Sequence, residues 1–163
     1  MILSQLLSTH KESFKQKFVE ALAKKNSMTV EEVRVDFKVF IEQFVDEKYS
    51  QVSQVVKRIN EIEISVFLNI RRDRMREDKC KICESNEANI RVIEETYGNR
   101  IEIFEVIEDR PEGVLYQIIF HEEGQEKKLP LTAIINKGEI IKYWAGKTVD
   151  AAVYERFINK YLK

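Results

Sequence analysis

The sequence predicts an α/β protein in which helices come first and a mixed sheet of about four strands, flanked by further helices, follows. Two observations predict this class. All five glycines and both prolines lie between Gly98 and Gly146, so the first 97 residues carry neither of the strongest chain breakers. After residue 60, apolar runs rich in β-branched residues alternate with segments of helical spacing, which indicates strands and helices in turn.

The first 60 residues are predicted to form two helices. Apolar residues recur at helical spacing over residues 3–22, with lysines and glutamates between them, as an amphipathic helix requires. Thr29, with Glu32 three residues later, has the pattern of a capping box and predicts the start of the second helix. The apolar stripe of this helix covers residues 33–59, and we expect the helix either to be continuous or to bend near residues 50–53.

A change of pattern predicts the first strand over residues 61–70, which are rich in β-branched and aromatic side chains. A charged loop and a pair of cysteines follow, and then a helix that ends at Gly98, a glycine suited to a left-handed cap. Residues 101–107 are predicted to form the second strand. Pro111 begins a helical segment that is expected to stop near Gly124.

Two strands joined by a tight turn, and a last helix, complete the predicted order. The apolar runs 131–135 and 139–144 flank Asn136-Lys137-Gly138, which has the composition of a hairpin turn. The final helix is predicted from about Asp150 to Leu162. No internal repeat interrupts this order.

Charge and composition exclude several classes of function. The formal net charge is −1, with 10 Lys/Arg against 8 Asp/Glu in residues 1–60 and, by difference, 17 against 20 in the rest. Neither part is basic enough to predict a protein that binds nucleic acid or anionic membranes. No run approaches the roughly 20 apolar residues that span a bilayer, and the first residues lack the pattern of a secretory signal. We therefore expect a soluble, cytoplasmic protein, and no bound cofactor, because phosphate-loop and dinucleotide motifs are absent from the sequence.

Cys80 and Cys83 are the residues best suited to carry chemistry. A disulfide between them would close a loop too short to stabilise the chain much, so their use is chemical, metal-binding or none. A structural zinc site needs four ligands, and the sequence adds only His10, His121 and carboxylates. A zinc site within one chain is therefore not expected, although a site shared between two chains would work. A CxxC pair between a strand and a helix, about 47 residues before a proline that opens a hairpin, favours a redox dithiol.

Residues 61–163 resemble the thioredoxin fold in the order of their elements. The segment from Leu129-Pro130 through Lys137-Gly138 to Gly146 is similar to the family's cis-proline, strand, glycine turn, strand and glycine. The resemblance implies a thioredoxin-like three-layer sandwich over residues 61–163, with a central mixed sheet flanked by helices. Residues 1–60 would then form a helical N-terminal extension.

The resemblance also implies roles for individual residues. Cys80 would lie at a helix N-terminus, where backbone N–H groups and the helix dipole lower the pKa of a thiol below its ordinary value of about 8.5. Cys80 is then the nucleophile that attacks a substrate disulfide, and Cys83 resolves the mixed disulfide. The backbone of Leu129 and Pro130 would flank the site and bind an extended substrate.

The surroundings of Cys80 are predicted to be cationic. Residues 71–81 contain six Lys/Arg and three Asp/Glu, which gives a charge of +3 around the thiol if the loop folds over it. Positive potential lowers the pKa of a thiol, and we expect Lys81 and Arg76 to tune it. The alternative is that the loop 71–79 is a solvated segment, or one that recognises an acidic partner.

The sequence departs from the family pattern in three respects. Lys79 precedes the first cysteine and Lys81-Ile82 separates the pair, where the family usually has Trp and Gly-Pro. Nine residues, 71–79, separate the strand from Cys80, where the family commonly needs a short turn. No equivalent of the family's buried strand aspartate is evident, and Ser65 or Asn69 are the polar residues nearest to that place.

Two functions follow from the sequence. The first is a thiol–disulfide oxidoreductase that acts on protein or small-molecule disulfides and is regenerated by an external electron donor. The second is a non-catalytic, thioredoxin-like interaction or redox-sensing module whose helical arm binds a partner. The apolar stripes of the N-terminal helices predict equally well packing on the sheet, a homodimer or a partner interface.

Overall fold

The computed structural model describes residues 1–121 and 126–162, and within them it contains six α-helices and four strands. The helices are α1 (Leu3–Asn26), α2 (Val30–Asp36), α3 (Lys38–Glu61), α4 (Lys81–Tyr97), α5 (Leu115–Ile119) and α6 (Ala151–Asn159). The strands are β1 (Ser65–Arg71), β2 (Ile101–Ile107), β3 (Leu131–Asn136) and β4 (Glu139–Ala145). Short 3₁₀ turns, Gly98–Arg100 and Pro111–Val114, precede β2 and α5. The predicted α/β class is confirmed.

The strands form one mixed sheet in the order β2-β1-β3-β4. β1 and β2 are parallel, because the chain returns through α4 to the same end of the sheet, whereas β3 is antiparallel to both β1 and β4. β1 lies in the interior of the sheet and all its residues are buried. Burial on both faces accounts for its nearly continuous apolar sequence.

Helices cover both faces of this sheet. α4 and α6 pack on one face through a cluster that includes Ile93 and Tyr154. α1, α3 and α5 cover the other face through a second cluster, which includes Val52 and Leu68. The result is a three-layer structure in which the N-terminal helices share a core with the strands. The division into a helical extension and a domain at residue 60 remains a prediction.

The N-terminal region contains three helices where the sequence predicted two. The Oγ1 atom of Thr29 accepts a hydrogen bond from the N–H of Glu32 over 3.1 Å, so the predicted cap is present. Of the two alternatives for the second helix, α3 is continuous through residues 50–53, and the chain turns at Phe37 instead (φ −110°, ψ 17°). Phe37 is partly buried against the core. The position of the turn is thus fixed by tertiary packing, which the periodicity of the sequence does not report.

The first strand begins at Ser65, four residues later than predicted. α3 continues through Glu61, and the fully buried Ile59 extends its apolar stripe. Pairing with β2 starts with Ser65 opposite Ile101. The alternating pattern of residues 61–64 therefore has no strand partner, and a strand without a partner leaves its backbone groups unpaired.

The predicted hairpin is confirmed, and two other expectations need correction. Lys137 (φ 49°) and Gly138 (φ 77°) both adopt the positive φ that a tight two-residue turn requires. Gly98 has positive φ as well, but its ψ of −125° is not that of the predicted left-handed cap. The predicted helix after Pro111 consists of a 3₁₀ turn and the short α5. Its predicted end at Gly124 lies outside the described residues.

Candidate active site

Cys80 is the N-cap residue of α4, and Cys83 lies in the first turn of that helix. The chain reaches Cys80 in an extended conformation, and the Cys80 carbonyl accepts a helical hydrogen bond from the N–H of Glu84 over 3.1 Å. The Sγ atom of Cys80 accepts a hydrogen bond from the N–H of Cys83 over 3.2 Å. Both this hydrogen bond and the helix dipole favour negative charge on the sulfur of Cys80.

The two cysteines differ in exposure. They form a disulfide, and their Cα atoms lie 5.3 Å apart. Cys83 is only 2% exposed and belongs to the core, whereas Cys80 is half-buried. A reagent from solution therefore reaches Cys80 first.

The segment before β3 faces this disulfide. The Leu129–Pro130 peptide bond is cis, and the carbonyl oxygen of Leu129 lies 3.8 Å from the Sγ atom of Cys80. The side chain of Leu129 is buried, and the carbonyl of Pro130 accepts a hydrogen bond from the N–H of Gly146 over 2.9 Å. The backbone of Leu129, and not its side chain, therefore lies beside Cys80.

Three features of the chain identify its fold. They are the strand order β2-β1-β3-β4, a cysteine pair at the start of the helix after β1, and the Leu129–Pro130 segment opposite this pair. The fold is thioredoxin-like. The predicted three-layer sandwich is present, with α4 and α6 on one face of the sheet and α5 on the other, where α1 and α3 of the N-terminal helices pack as well. The strand order and the helices that connect the strands establish this topology.

Comparison with known proteins gives matches to solved structures. No family model matches the sequence, and no curated protein does. A structure described only as a malarial protein is 17% identical and aligns with a TM-score of 0.48 over 61% of this chain and 99% of that one. Thioredoxin-2, described as a component of the malaria parasite protein secretion machinery, is 16% identical and aligns with a TM-score of 0.48 over 60% of this chain and 82% of its own.

The loop between β1 and α4 is cationic in sequence, but its guanidinium groups are paired. Arg71 is almost fully buried, forms an ion pair with Glu87 of α4 and donates a hydrogen bond to the carbonyl of Arg72 over 2.9 Å. Arg74 forms ion pairs of 2.6 Å with both Glu87 and Glu105. The hydrogen bond from Arg74 lowers the pKa of the Glu105 carboxyl below its usual range. Carboxylates of α4 and β2 thus neutralise part of the positive charge that the sequence of residues 71–81 shows.

The two residues predicted to tune Cys80 have different surroundings. The guanidinium group of Arg76 is surrounded by three carboxylates, those of Asp78 (2.8 Å), Glu108 (3.2 Å) and Asp109 (3.6 Å). Lys81, the first residue of α4, is exposed and has no ion-pair partner in the part of the chain that the structure describes. Lys81 is therefore an uncompensated cation next to Cys80 in the sequence, as is Lys79, whose Nζ atom donates a hydrogen bond to the carbonyl of Arg74.

Sequence analysis missed a buried polar network behind α4. The fully buried Asn86, one turn after Cys83, donates a hydrogen bond to the Tyr154 hydroxyl over 2.9 Å and accepts one from the N–H of Val149 over 3.0 Å. The Tyr154 hydroxyl also lies 3.0 Å from the Oγ1 atom of Thr132. The network joins the helix that carries the cysteines to α6 and β3. In the sequence, the network is marked only by an asparagine within an amphipathic helix. Such an asparagine is equally typical of an exposed position.

β1 carries the two polar side chains that the sequence offered in place of a buried aspartate. Ser65 and Asn69 are 3% and 4% exposed, and their Oγ and Oδ1 atoms have no hydrogen-bond partner among the described residues. Neither side chain ionises in the pH range of thiol chemistry. Neither therefore replaces a carboxylate as a proton acceptor.

The described residues contain neither a cluster of metal ligands nor a membrane-spanning helix. In residues 1–121 and 126–162, no group of three or more His, Cys, Asp and Glu side chains is arranged to hold a metal ion. The Nδ1 atom of His10 lies 2.7 Å from the Tyr49 hydroxyl. None of the helices in those ranges is long and apolar enough to cross a membrane.

Proposed function

We propose that this chain is a thiol–disulfide oxidoreductase that acts on protein or small-molecule disulfides through Cys80 and Cys83. The observation that carries the proposal is the hydrogen bond from the N–H of Cys83 to the Sγ atom of Cys80, at the beginning of α4. This position favours a thiolate, and the thiolate is the nucleophilic form of cysteine. The greater exposure of Cys80 supports its role as the attacking residue.

The proposed exchange has two steps. The Cys80 thiolate attacks one sulfur of a substrate disulfide, so that a bond forms between these two sulfurs and the second substrate sulfur leaves as a thiolate that takes up a proton. Cys83, after losing its proton to solvent, attacks the Sγ atom of Cys80 and displaces the first substrate sulfur. The products are the Cys80–Cys83 disulfide and a reduced substrate, which has received two electrons.

Regeneration needs an external electron donor. The disulfide between Cys80 and Cys83 is the form that this cycle produces, and a donor dithiol would return it to the reduced state by the same exchange chemistry. No bound cofactor is required for these steps. We place the protein in the cytoplasm, where the reducing environment keeps such a pair ready to act as a reductant.

Substrate would lie against the backbone of Leu129 and Pro130. The Leu129 carbonyl is beside Cys80, so an extended peptide that reaches the sulfur also meets this segment. The binding would be through main-chain groups and would tolerate different substrate side chains.

The function is tested by the reduction of insulin with dithiothreitol as electron donor. The unmodified protein should accelerate the reduction, and Cys80→Ser and Cys83→Ser should each abolish the acceleration. Cys83→Ser keeps the nucleophile and loses the resolving thiol, so it should accumulate a mixed disulfide with the substrate. Cys80→Ser should not, because its remaining sulfur is buried. Acceleration by Cys80→Ser, or a mixed disulfide trapped by that variant alone, would overturn the proposal.

A separate observation favours the second function, a module that binds a partner through its N-terminal helices. Phe40 and Phe44 are 50% and 41% exposed, and the ring of Phe44 stacks on that of Phe18 with the centroids 4.5 Å apart. A second copy of the chain would cover this aromatic surface in a homodimer. Sedimentation equilibrium tests the homodimer: a dimer that Phe40→Ser/Phe44→Ser converts to a monomer supports it, and a monomeric unmodified protein contradicts it.

A further inference from the structure

The edge of the sheet at β4 is partly closed by the chain's own N-terminus. β4 pairs with β3 on one side only. On its other side, the N–H of Leu3 donates to the carbonyl of Gly138 over 2.9 Å, and the N–H of Ile140 donates to the carbonyl of Met1 over 2.8 Å. The edge therefore already accepts an antiparallel segment at the end near the hairpin turn.

Among the described residues, nothing pairs with the rest of this edge. The N–H of Gly146 donates to the carbonyl of Pro130, so within the antiparallel β3–β4 pair the alternate residues Tyr143 and Ala145 point their N–H and C=O groups away from β3. No backbone hydrogen bond to these outward groups is present in residues 1–121 and 126–162. Each group is a hydrogen bond that an added strand would complete.

A groove of about 630 Å³ accompanies the open edge. Phe120 and Tyr143 line it, with their ring centroids 5.9 Å apart, and Met1 lines it as well. An extended peptide projects every second side chain to the same face of a sheet. The groove thus offers apolar contacts for alternate side chains of a peptide that pairs with β4.

The charge of the groove indicates which kind of segment it binds. Among the described residues, the lining contains three lysines and no acidic residue, the lysines being Lys128, Lys142 and Lys147. Lys142 and Lys147 are exposed and have no ion-pair partner within the described ranges, and the Nζ atom of Lys128 lies 5.8 Å from the centroid of the Phe120 ring. Pairing of β4 with β4 of a second copy would bring two sets of these lysines together. Like charges across a strand pair are destabilising, so the groove fits an acidic segment better than a second copy.

We propose that the open edge of β4, residues 141–145, binds an extended acidic segment of a partner protein as an added strand. The groove includes Lys128 and Ala145, which are the sequence neighbours of Leu129 and Gly146. A segment bound there therefore reaches the end of the sheet that carries Leu129, whose carbonyl oxygen lies 3.8 Å from the Sγ atom of Cys80. The docking does not depend on exchange chemistry and is expected of both the disulfide and the dithiol forms.

Amide hydrogen exchange of the full ¹⁵N-labelled chain tests this proposal. The probe is a blocked octapeptide of alternating valine and glutamate, and the matched control peptide has lysine in place of glutamate. At about 90% occupancy by the acidic peptide, exchange of the Tyr143 and Ala145 amides should slow by about tenfold, because it then proceeds from the free fraction. The lysine peptide should leave both rates unchanged. Absence of protection by the acidic peptide, or equal protection by both peptides, would overturn the proposal.

Charge reversal gives an independent test. Lys142→Glu/Lys147→Glu should weaken binding of the acidic peptide by about tenfold and strengthen that of the lysine peptide, since each exposed pair contributes up to ~1 kcal/mol. Lys24→Glu/Lys25→Glu, at the end of α1 and outside the groove, makes the same change in net charge and should leave both affinities unchanged. Equal effects of the two double variants would contradict the assignment. Protection of Tyr143 and Ala145 that grows with protein concentration alone would show that a second copy is the occupant instead.

Discussion

The N–H of Cys83 donates to the Sγ atom of Cys80 over 3.2 Å, and the N–H of Glu32 donates to the Oγ1 atom of Thr29 over 3.1 Å. The two contacts have the same form, in which a side chain at the N-cap accepts a hydrogen bond from the third residue along the chain. At Thr29 the acceptor is an oxygen, and the hydrogen bond stabilises the start of α2. At Cys80 the acceptor is a sulfur, and the same geometry places a potential nucleophile at the positive end of α4.

The cap at Thr29 should contribute measurably to stability. Thr29→Ala removes the acceptor for the Glu32 N–H and should lower the free energy of unfolding by about 1 kcal/mol. Urea unfolding followed by circular dichroism checks this value. Ser50→Ala, at an exposed position within α3, is the matched control and should change the free energy by less than about 0.5 kcal/mol. Equal losses in the two variants would show that the hydrogen bond contributes nothing.

The buried polar network behind α4 should contribute more to the free energy of unfolding than the cap at Thr29. Tyr154→Phe removes the acceptor of the Asn86 side-chain N–H and the hydrogen-bond partner of the Thr132 hydroxyl, and should lower the free energy of unfolding by about 1 to 3 kcal/mol. Tyr161→Phe, at a partly exposed position, removes the same atom and should have almost no effect. Urea unfolding of both variants makes the comparison. A Tyr154→Phe protein as stable as the unmodified one would mean that the network is not stabilising.

Patterns within one element were well predicted from the sequence. The hairpin turn at Lys137-Gly138, the cap at Thr29 and the bounds of β2 depend on local chemistry, and the structure has them as predicted. The turn at Phe37 depends instead on contacts among α1, α2 and α3, and periodicity cannot place it. The late start of β1 has a similar cause, because pairing with β2 begins only at Ser65.

The candidate site was predictable in its parts and less so in its electrostatics. The placement of Cys80 before α4 follows from the strand, loop and helix order. The charge around it does not, because Glu87, Glu105 and Glu108 come from distant parts of the sequence and meet the arginine loop only in the folded chain. The buried role of Asn86 likewise depends on residues more than 60 positions away.

Lys81 and Arg76 should therefore differ in their effects on Cys80. Lys81→Gln removes an uncompensated cation and should slow alkylation of the reduced Cys80 thiol at pH 7 by roughly twofold, because less thiolate is present. Arg76→Gln should slow alkylation less, since the guanidinium group of Arg76 lies among three carboxylates whereas Lys81 is next to Cys80 in the chain. Iodoacetamide kinetics in a Cys83→Ser background measure both rates. A larger effect of Arg76→Gln than of Lys81→Gln would contradict this account of the electrostatics.

Alkaline pH should reveal the burial of Tyr49. Burial raises the pKa of Tyr49 to about 12 from its ordinary value of 10.0. The folded chain holds this proton more tightly than the unfolded chain, so the associated stability is complete below pH 10 and is lost as the pH rises from 10 to about 12. Tyr49→Phe should make the decline of the urea midpoint shallower over this interval, whereas Tyr161→Phe should not. Identical slopes for Tyr49→Phe and the unmodified protein would contradict the raised pKa.

The pH dependence of Cys80 alkylation in the reduced protein tests the central claim most directly. The hydrogen bond from Cys83 and the dipole of α4 both stabilise the thiolate, so the rate should follow a titration with a midpoint near pH 7 or lower. The same measurement on Cys83→Ser, in which the backbone N–H is retained, should give a similarly low midpoint. A midpoint at or above about 8.5, the ordinary value for cysteine, would contradict the proposal that the start of α4 activates this sulfur for disulfide exchange.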